Sequence, residues 1–184
     1  MRKVARGEIP SLAEYARARD EVRRSVLRAK ELRRVHLGSY LTFLFENQET
    51  VRYQVLEMLR VEGRTEEEAV RHELDTYNEL LGGAGELGCT LLIEIDDALQ
   101  RDVVLRKWID LPRHLYVVTS AGARAHARFD ERQIGRGRLS SVQYLKFAVG
   151  SEAPRALGMD LPGLELEVEL APETRAALGQ DLAT

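Results

Sequence analysis

Apolar positions early in the chain recur every three to four residues. Leu12, Tyr15, Val22, Val26, Ala29, Leu32 and Val35 make one stripe, the spacing of a helix with a single buried face. Ser11 with Glu14 three residues on predicts its start through a reciprocal cap, and Gly38 predicts its end. Tyr40 to Glu46 fits two periods. Its aromatic density after Gly38-Ser39 predicts a strand, while Tyr40, Phe43, Leu44, Asn47, Val51, Val55, Met58 and Leu59 also line up at helical spacing. The strand is preferred through Glu46, followed by a helix from Asn47 as cap to about Glu62. Thr65 and Glu68 predict a further helix start, Ala69, Leu74, Tyr77, Leu80 and Leu81 its apolar face, and Gly82-Gly83 its stop.

The period then changes. Thr90 to Ile95, Leu115 to Thr119, Ala123 to Asp130 and Val142 to Val149 read as strands, the last two joined by a Gly- and Arg-rich loop from Gln133 to Ser140. Asp96-Asp97 can cap a short helix through Trp108, ended by Pro112. Leu164 to Leu170 alternates strictly between Leu or Val and Glu, as a half-exposed strand does. Pro172-Glu173 opens a short last helix. Helices early and strands late predict an α+β fold: N-terminal helices packed on a mostly antiparallel β-sheet formed largely by the second half. The 184 residues suit a single domain, 1–184, with a helical half at about 9–83 and a β-rich half at about 88–172.

Composition narrows the classes. No apolar run approaches the length of a membrane span, and no apolar segment follows the basic Met1–Glu8, so neither a membrane protein nor a secretory leader is expected. The lone cysteine, Cys89, excludes an internal disulfide and Cys-rich metal sites, which makes a cytoplasmic protein the natural reading. The net charge of −3 conceals alternating blocks. Met1–His36 carries +6, Leu37–Leu80 −6, Arg113–Gly150 +5 and Ser151–Thr184 −5. Such blocks predict charge matching within the molecule, and the absence of an uncompensated basic stretch speaks against nucleic-acid binding. A homodimer is the expectation from base rates alone.

Candidate chemistry centres on acid placed in apolar runs, Glu46 in Phe43–Asn47 and Glu94 in Leu91–Asp96. A carboxylate is costly to bury unless something pairs with it or it ligates a cation. If both strands lie in one sheet, Glu46 shares a face with Thr42 and Leu44, and Glu94 with Leu92 and Asp96. The opposite face, Phe43/Phe45 and Leu91/Ile93/Ile95, would then be the core, and in the plainer reading the acids simply face water. The helix after Asn47 adds Gln54, Glu57 and Arg60, and the next adds Tyr77 and Asn78. The candidate ligand site is therefore Glu46, Asn47, Gln54, Glu57, Arg60, Tyr77, Asn78 and Glu94. Glu46, Glu57 and Glu94 are its candidate ligands for a divalent metal, and no catalytic residue can be assigned. The competing reading of Glu57 and Arg60 is a solvated helix-surface pair. Arg124, His126 and Arg128 alternate on one strand, which suits an anion or a facing acidic strand; Glu165, Glu167 and Glu169 are the expected cross-strand partners, Arg128 with Glu167 among them. Arg24, Arg28 and Arg33 offer a docking face for an acidic partner.

Phe45-Glu46-Asn47, Tyr53 to Glu62, Tyr77-Asn78-Glu79-Leu80, Ile93-Glu94-Ile95-Asp96 and Val142 to Phe147 together resemble an uncharacterised bacterial family, the domain of unknown function 3501 group. The resemblance runs from about Ile9 to Phe147 and is weakest over Leu164–Leu170. No activity is established for that family, so no catalytic residue carries over. Its genomic setting implies an accessory role in peroxide or redox defence, with a rubrerythrin or an iron–sulfur oxidoreductase as partner. Two functions are thus expected: a non-catalytic accessory or binding protein for such a system, or a small carboxylate-based metal-binding domain or enzyme using Glu46 and Glu94.

Overall fold

Leu41–Glu46 (β2) is buried at every position, which is why its sequence lacks a clean alternation of apolar and polar residues. The computed structural model describes residues 1–135 and 137–183; Arg136, within the Gly/Arg-rich segment, and Thr184 lie outside them. β2 runs antiparallel between Arg34–Leu37 (β1) and Glu86–Ile93 (β3), and Val142–Ala148 (β8) pairs with the far side of β3. A second antiparallel sheet has the order β10-β9-β4-β5, from Leu164–Glu169, Ala156–Leu161, Leu115–Val118 and Arg124–His126. Ile134–Gly135 (β6) and Arg138–Leu139 (β7) form a small hairpin.

The two four-stranded sheets enclose one core. Phe43 and Phe45, Leu87 and Leu91, Leu145 and Phe147 point inward from the first sheet, and Leu115, Val117, Leu157 and Met159 from the second. The sheets meet at a corner where Arg128 and Lys146 exchange backbone hydrogen bonds, each 2.8 Å. The acids of β10 and the bases of β5 share this second sheet, but β9 and β4 stand between them. Arg128 pairs instead with Glu86, so the expected Arg128–Glu167 partnership is not made.

Leu12–Glu31 (α1), Gln48–Glu62 (α2) and Glu67–Asn78 (α3) make a smaller core from Tyr15, Val51, Val55, Leu56, Leu59, Val70 and Leu74. Ser11 and Glu14 form the predicted reciprocal cap of α1, and Asn47 caps α2 by accepting from Thr50 N at 3.0 Å. α1 ends sooner than its stripe predicts. Val35 lies in β1, opposite Phe43, because strand pairing there outweighs the helical period. The Thr65–Glu68 cap does not form: the Thr65 amide donates to Glu66, and α3 begins at Glu67. α3 stops at Asn78, and the following turn brings the Leu80 carbonyl over β3. A side chain at Gly88 would meet that oxygen at 1.8 Å, so the crossing demands glycine. The helices join the sheet at this crossing and at Glu46, on the outward face of β2.

Ala98–Lys107 (α4) is capped by Asp97 as predicted. Pro172–Leu182 (α5) packs Leu178 into the main core and is fastened at its far end by Asp181, which pairs with Arg33 at the α1–β1 junction. Arg33 is therefore buried and unavailable as a docking arginine. β9 has no counterpart among the predicted strands.

Candidate functional site

Outward-facing residues of the first sheet fall into rows. Glu46, Gly88 and Lys146 stand side by side, as do Leu44, Thr90 and Tyr144. Glu46 is buried and saturated by hydroxyls: Thr50 Oγ1 donates to Oε2 at 2.5 Å and Thr90 Oγ1 to Oε1 at 2.7 Å. These two hydrogen bonds offset part of the cost of burying the side chain.

Glu94 lies at the opposite end of β2, where its amide donates to Tyr40 O at 2.8 Å. The run from Tyr40 to Glu46, at about 3.3 Å per residue, sets the two carboxylates roughly 20 Å apart. Glu94 is exposed and accepts from Thr42 Oγ1, whose oxygen in turn accepts from His36 Nδ1 at 3.0 Å. Glu57 belongs to neither end. It accepts from Tyr15 Oη at 2.7 Å, from Arg19 through two bonds of 2.8 Å and from Arg60 through two of 3.1 Å. The Arg19 guanidinium, then Arg60 and the Tyr15 hydroxyl, hold this carboxyl well below the usual range against the opposing effect of burial. The structure thus does not gather Glu46, Glu57 and Glu94. Among the described residues no three His, Cys, Asp or Glu side chains converge to hold a metal ion.

The other candidates also separate. Asn78 clamps the first residues of the chain, accepting from Val4 N at 2.8 Å and donating to Val4 O at 3.0 Å. Asn47 donates to Asp181 at 3.3 Å. Gln54 is half-buried on α2 and Arg60 is exposed beside Glu57. Of the eight, Tyr77 lines the cleft described next and Glu46 lies close behind it.

That cleft, of about 630 Å³, opens between the end of α3, the outer face of β8 and the segment 128–133. This volume is within the range of small-molecule sites. Tyr77, Tyr144, Leu80 and Phe129 supply its apolar surface, and Arg128, Arg132 and Lys146 its cations. The 128–133 wall is held to the edge of β8: past the Arg128–Lys146 bridge, the Gln133 side chain accepts from Tyr144 N at 2.6 Å and donates to Tyr144 O at 3.0 Å. Partial burial raises the Tyr144 phenol above its ordinary value, with smaller contributions from nearby Tyr77 and Glu46. Both phenols line the cleft.

Charge in the cleft is mostly cancelled locally. Arg128 pairs with Glu86, Arg132 with Asp130, and Glu79 with Lys3. Among the described residues no carboxylate pairs with Lys146. Sequence reasoning missed Tyr144, Lys146, Arg132 and Gln133, and singled out Arg128 only as part of a basic strand face with Arg124 and His126. The available signal was the alternation of β8, which sends Gln143, Leu145 and Phe147 inward and Tyr144 and Lys146 outward.

A second polar cluster lies on the outer face of the other sheet. Asp160 faces His114 Nδ1 at 3.0 Å, His126 Nε2 at 3.4 Å and Arg124 at 3.5 Å. Arg124 stacks on Tyr116, whose hydroxyl donates to Glu167 at 3.0 Å. Together these residues join β10 to β5 across the sheet. Cys89 is buried, and burial, reinforced by Glu46, pushes its thiol well up, which disfavours the reactive thiolate.

Fold and cleft together define an α+β protein in which a helical layer and two antiparallel sheets frame a recess of small-molecule size. The chain belongs to the family described as protein of unknown function (DUF3501), which matches residues 3–182. It is also similar to a crystal structure of a novel protein of unknown function from Burkholderia pseudomallei K96243. The two share 28% identity and a TM-score of 0.89, over 98% of this chain and 100% of that one. No curated protein matches. No helix among the described residues is long and apolar enough to cross a membrane.

Proposed function

We propose that this protein is a non-catalytic binding protein and that the cleft between α3 and β8 takes a small organic anion. The observation that carries this is Lys146: a half-buried ammonium without a carboxylate partner among the described residues, lining a recess beside two phenols. An uncompensated charge next to apolar surface favours an anionic group attached to an apolar body. Amide chemical-shift mapping with a library of small acids tests the reading. Shifts confined to Tyr77, Tyr144, Lys146 and the 128–133 segment are expected. Acids that shift no resonance there at millimolar concentration would refute it.

The family resemblance adds the setting, an accessory role beside a rubrerythrin or an iron–sulfur oxidoreductase. Support comes from that resemblance and from the charge segregation along the chain. Binding of the purified oxidoreductase that weakens as salt rises is expected; absence of binding at low salt removes the partnership. The carboxylate-based metal site has no geometric support, because its three acids occupy separate places.

A further inference from the structure

We infer that the occupant of the cleft is an aromatic monocarboxylate, bound with its ring against Tyr77 and Tyr144 and its carboxylate on Lys146. This rests on the binding-site reading above and adds the chemical class of the ligand.

The arginine charges in the lining are already opposed, Arg128 by Glu86 and Arg132 by Asp130. One cation, Lys146, is left over among the described residues. Ligand charge beyond −1 would have no counterion. It would also stand near Glu79 and Asp130, which line the cleft, on a face where Glu46 shares the row of Lys146 across Gly88. A phosphate dianion is therefore disfavoured. A neutral ligand covering Lys146 would desolvate its ammonium without pairing it. A single carboxylate satisfies the ammonium and can accept a hydrogen bond from a neutral phenol. The remaining surface, from Tyr77, Tyr144, Leu80 and Phe129, suits a flat ring, since aromatic pairs gain from offset or edge-on contact beyond their buried area. The cleft, at about 630 Å³, admits a bicyclic ring system.

Titration calorimetry with three probes sharing one ring tests this: 2-naphthoate, 2-naphthyl phosphate and 2-naphthalenemethanol. The carboxylate should bind at least ~10-fold more tightly than the alcohol, the scale of one charge-assisted contact, and no more weakly than the phosphate. Lys146→Met and Lys146→Gln, each checked for an unchanged thermal midpoint, should bring carboxylate and alcohol to equal affinity. Equal binding of alcohol and carboxylate to the parent protein overturns the assignment, as does a preference of ~10-fold or more for the phosphate. In both cases the cleft remains a binding site. If none of the three binds the cleft at millimolar concentration while other small acids do, the aromatic class alone falls. If no acid of any kind binds, the function proposed above falls with it.

Discussion

Replacing Asp181 tests how the C-terminal helix is fastened. Arg33 and Asp181 are each 8% exposed at the side chain and share two hydrogen bonds, of 2.7 and 2.9 Å. The same guanidinium also donates to Ala29 O at 2.9 Å. Asp181→Ala would leave a buried guanidinium without its counterion. Removing one partner of a buried pair costs about 3–5 kcal/mol, because the remaining charge is neither solvated nor matched. Asp181→Asn keeps the volume and one acceptor oxygen, so its cost should be smaller, about 2–3 kcal/mol. Domain stabilities are about 5–15 kcal/mol, so either change removes a large share. At a urea slope of about 2 kcal/mol per molar, a loss of 3 kcal/mol lowers the midpoint by ~1.5 M. Trp108 is the one tryptophan and packs against the main core, so its fluorescence and far-ultraviolet circular dichroism should report a single transition. Replacing both partners, Arg33→Met with Asp181→Leu, should recover part of the loss, since an apolar pair has no charge to desolvate. An Asp181→Ala midpoint within ~0.3 M of the parent would refute the reasoning, the whole expected shift being several times larger.

Three further outcomes are expected. Glu57 is held below its unfolded value of about 4.3, so it stabilises the fold above that pH and ceases to do so as pH falls towards the depressed folded value. Acid titration of the thermal midpoint should therefore flatten in Glu57→Gln, and an unchanged acid limb would contradict the role of Arg19 and Arg60. Gly88→Ala places a methyl group 1.8 Å from the Leu80 carbonyl oxygen. A loss of about 3 kcal/mol or more in urea is expected, since backbone on both sides leaves little room to relax; a near-neutral variant would mean the crossing of β3 is misjudged. The buried Cys89 thiol, raised by desolvation, should resist a disulfide reagent at mildly alkaline pH in the native protein and react fully in denaturant. Rapid native labelling would show that it is reachable.

Elements governed by neighbours in the chain were legible without coordinates. Asn47 as the cap of α2, Ser11 with Glu14 at the start of α1, Asp97 ahead of α4 and the alternation of β10 are each written within a few residues. The inward set Phe43, Phe45, Leu91 and Ile93 followed once both segments were taken as strands of one sheet, and the α+β class from helical periods early and strand periods late. From Tyr40 to Glu46, where two periods competed, the preferred strand is the one that forms. Val35 sits at helical spacing yet pairs with Phe43 in a strand, because the hydrogen bonds and buried area of the sheet lie outside any local window.

The candidate site shows the same division more sharply. Acid within apolar runs marked Glu46 and Glu94 alike, and the plainer expectation that both face water holds for Glu94 alone, since Glu46 is buried with the help of hydroxyl donors. Which groups help was decided by register: Thr90 stands beside Glu46 only because β2 and β3 align Glu46 with Gly88. The same alignment moves Glu94 to the other end of the strand. Lys146 and Tyr144 drew no attention along the chain, since a lysine and a tyrosine in a strand are ordinary. They become a recess only where α3 ends, the 128–133 segment closes on β8, and their neighbours' charges cancel while one remains. Periodicity, caps and turns are set by contacts between residues close in sequence. Register, the pairing of Arg33 with Asp181 across 148 residues and the uncompensated charge on Lys146 depend on partners that only the folded chain brings within reach.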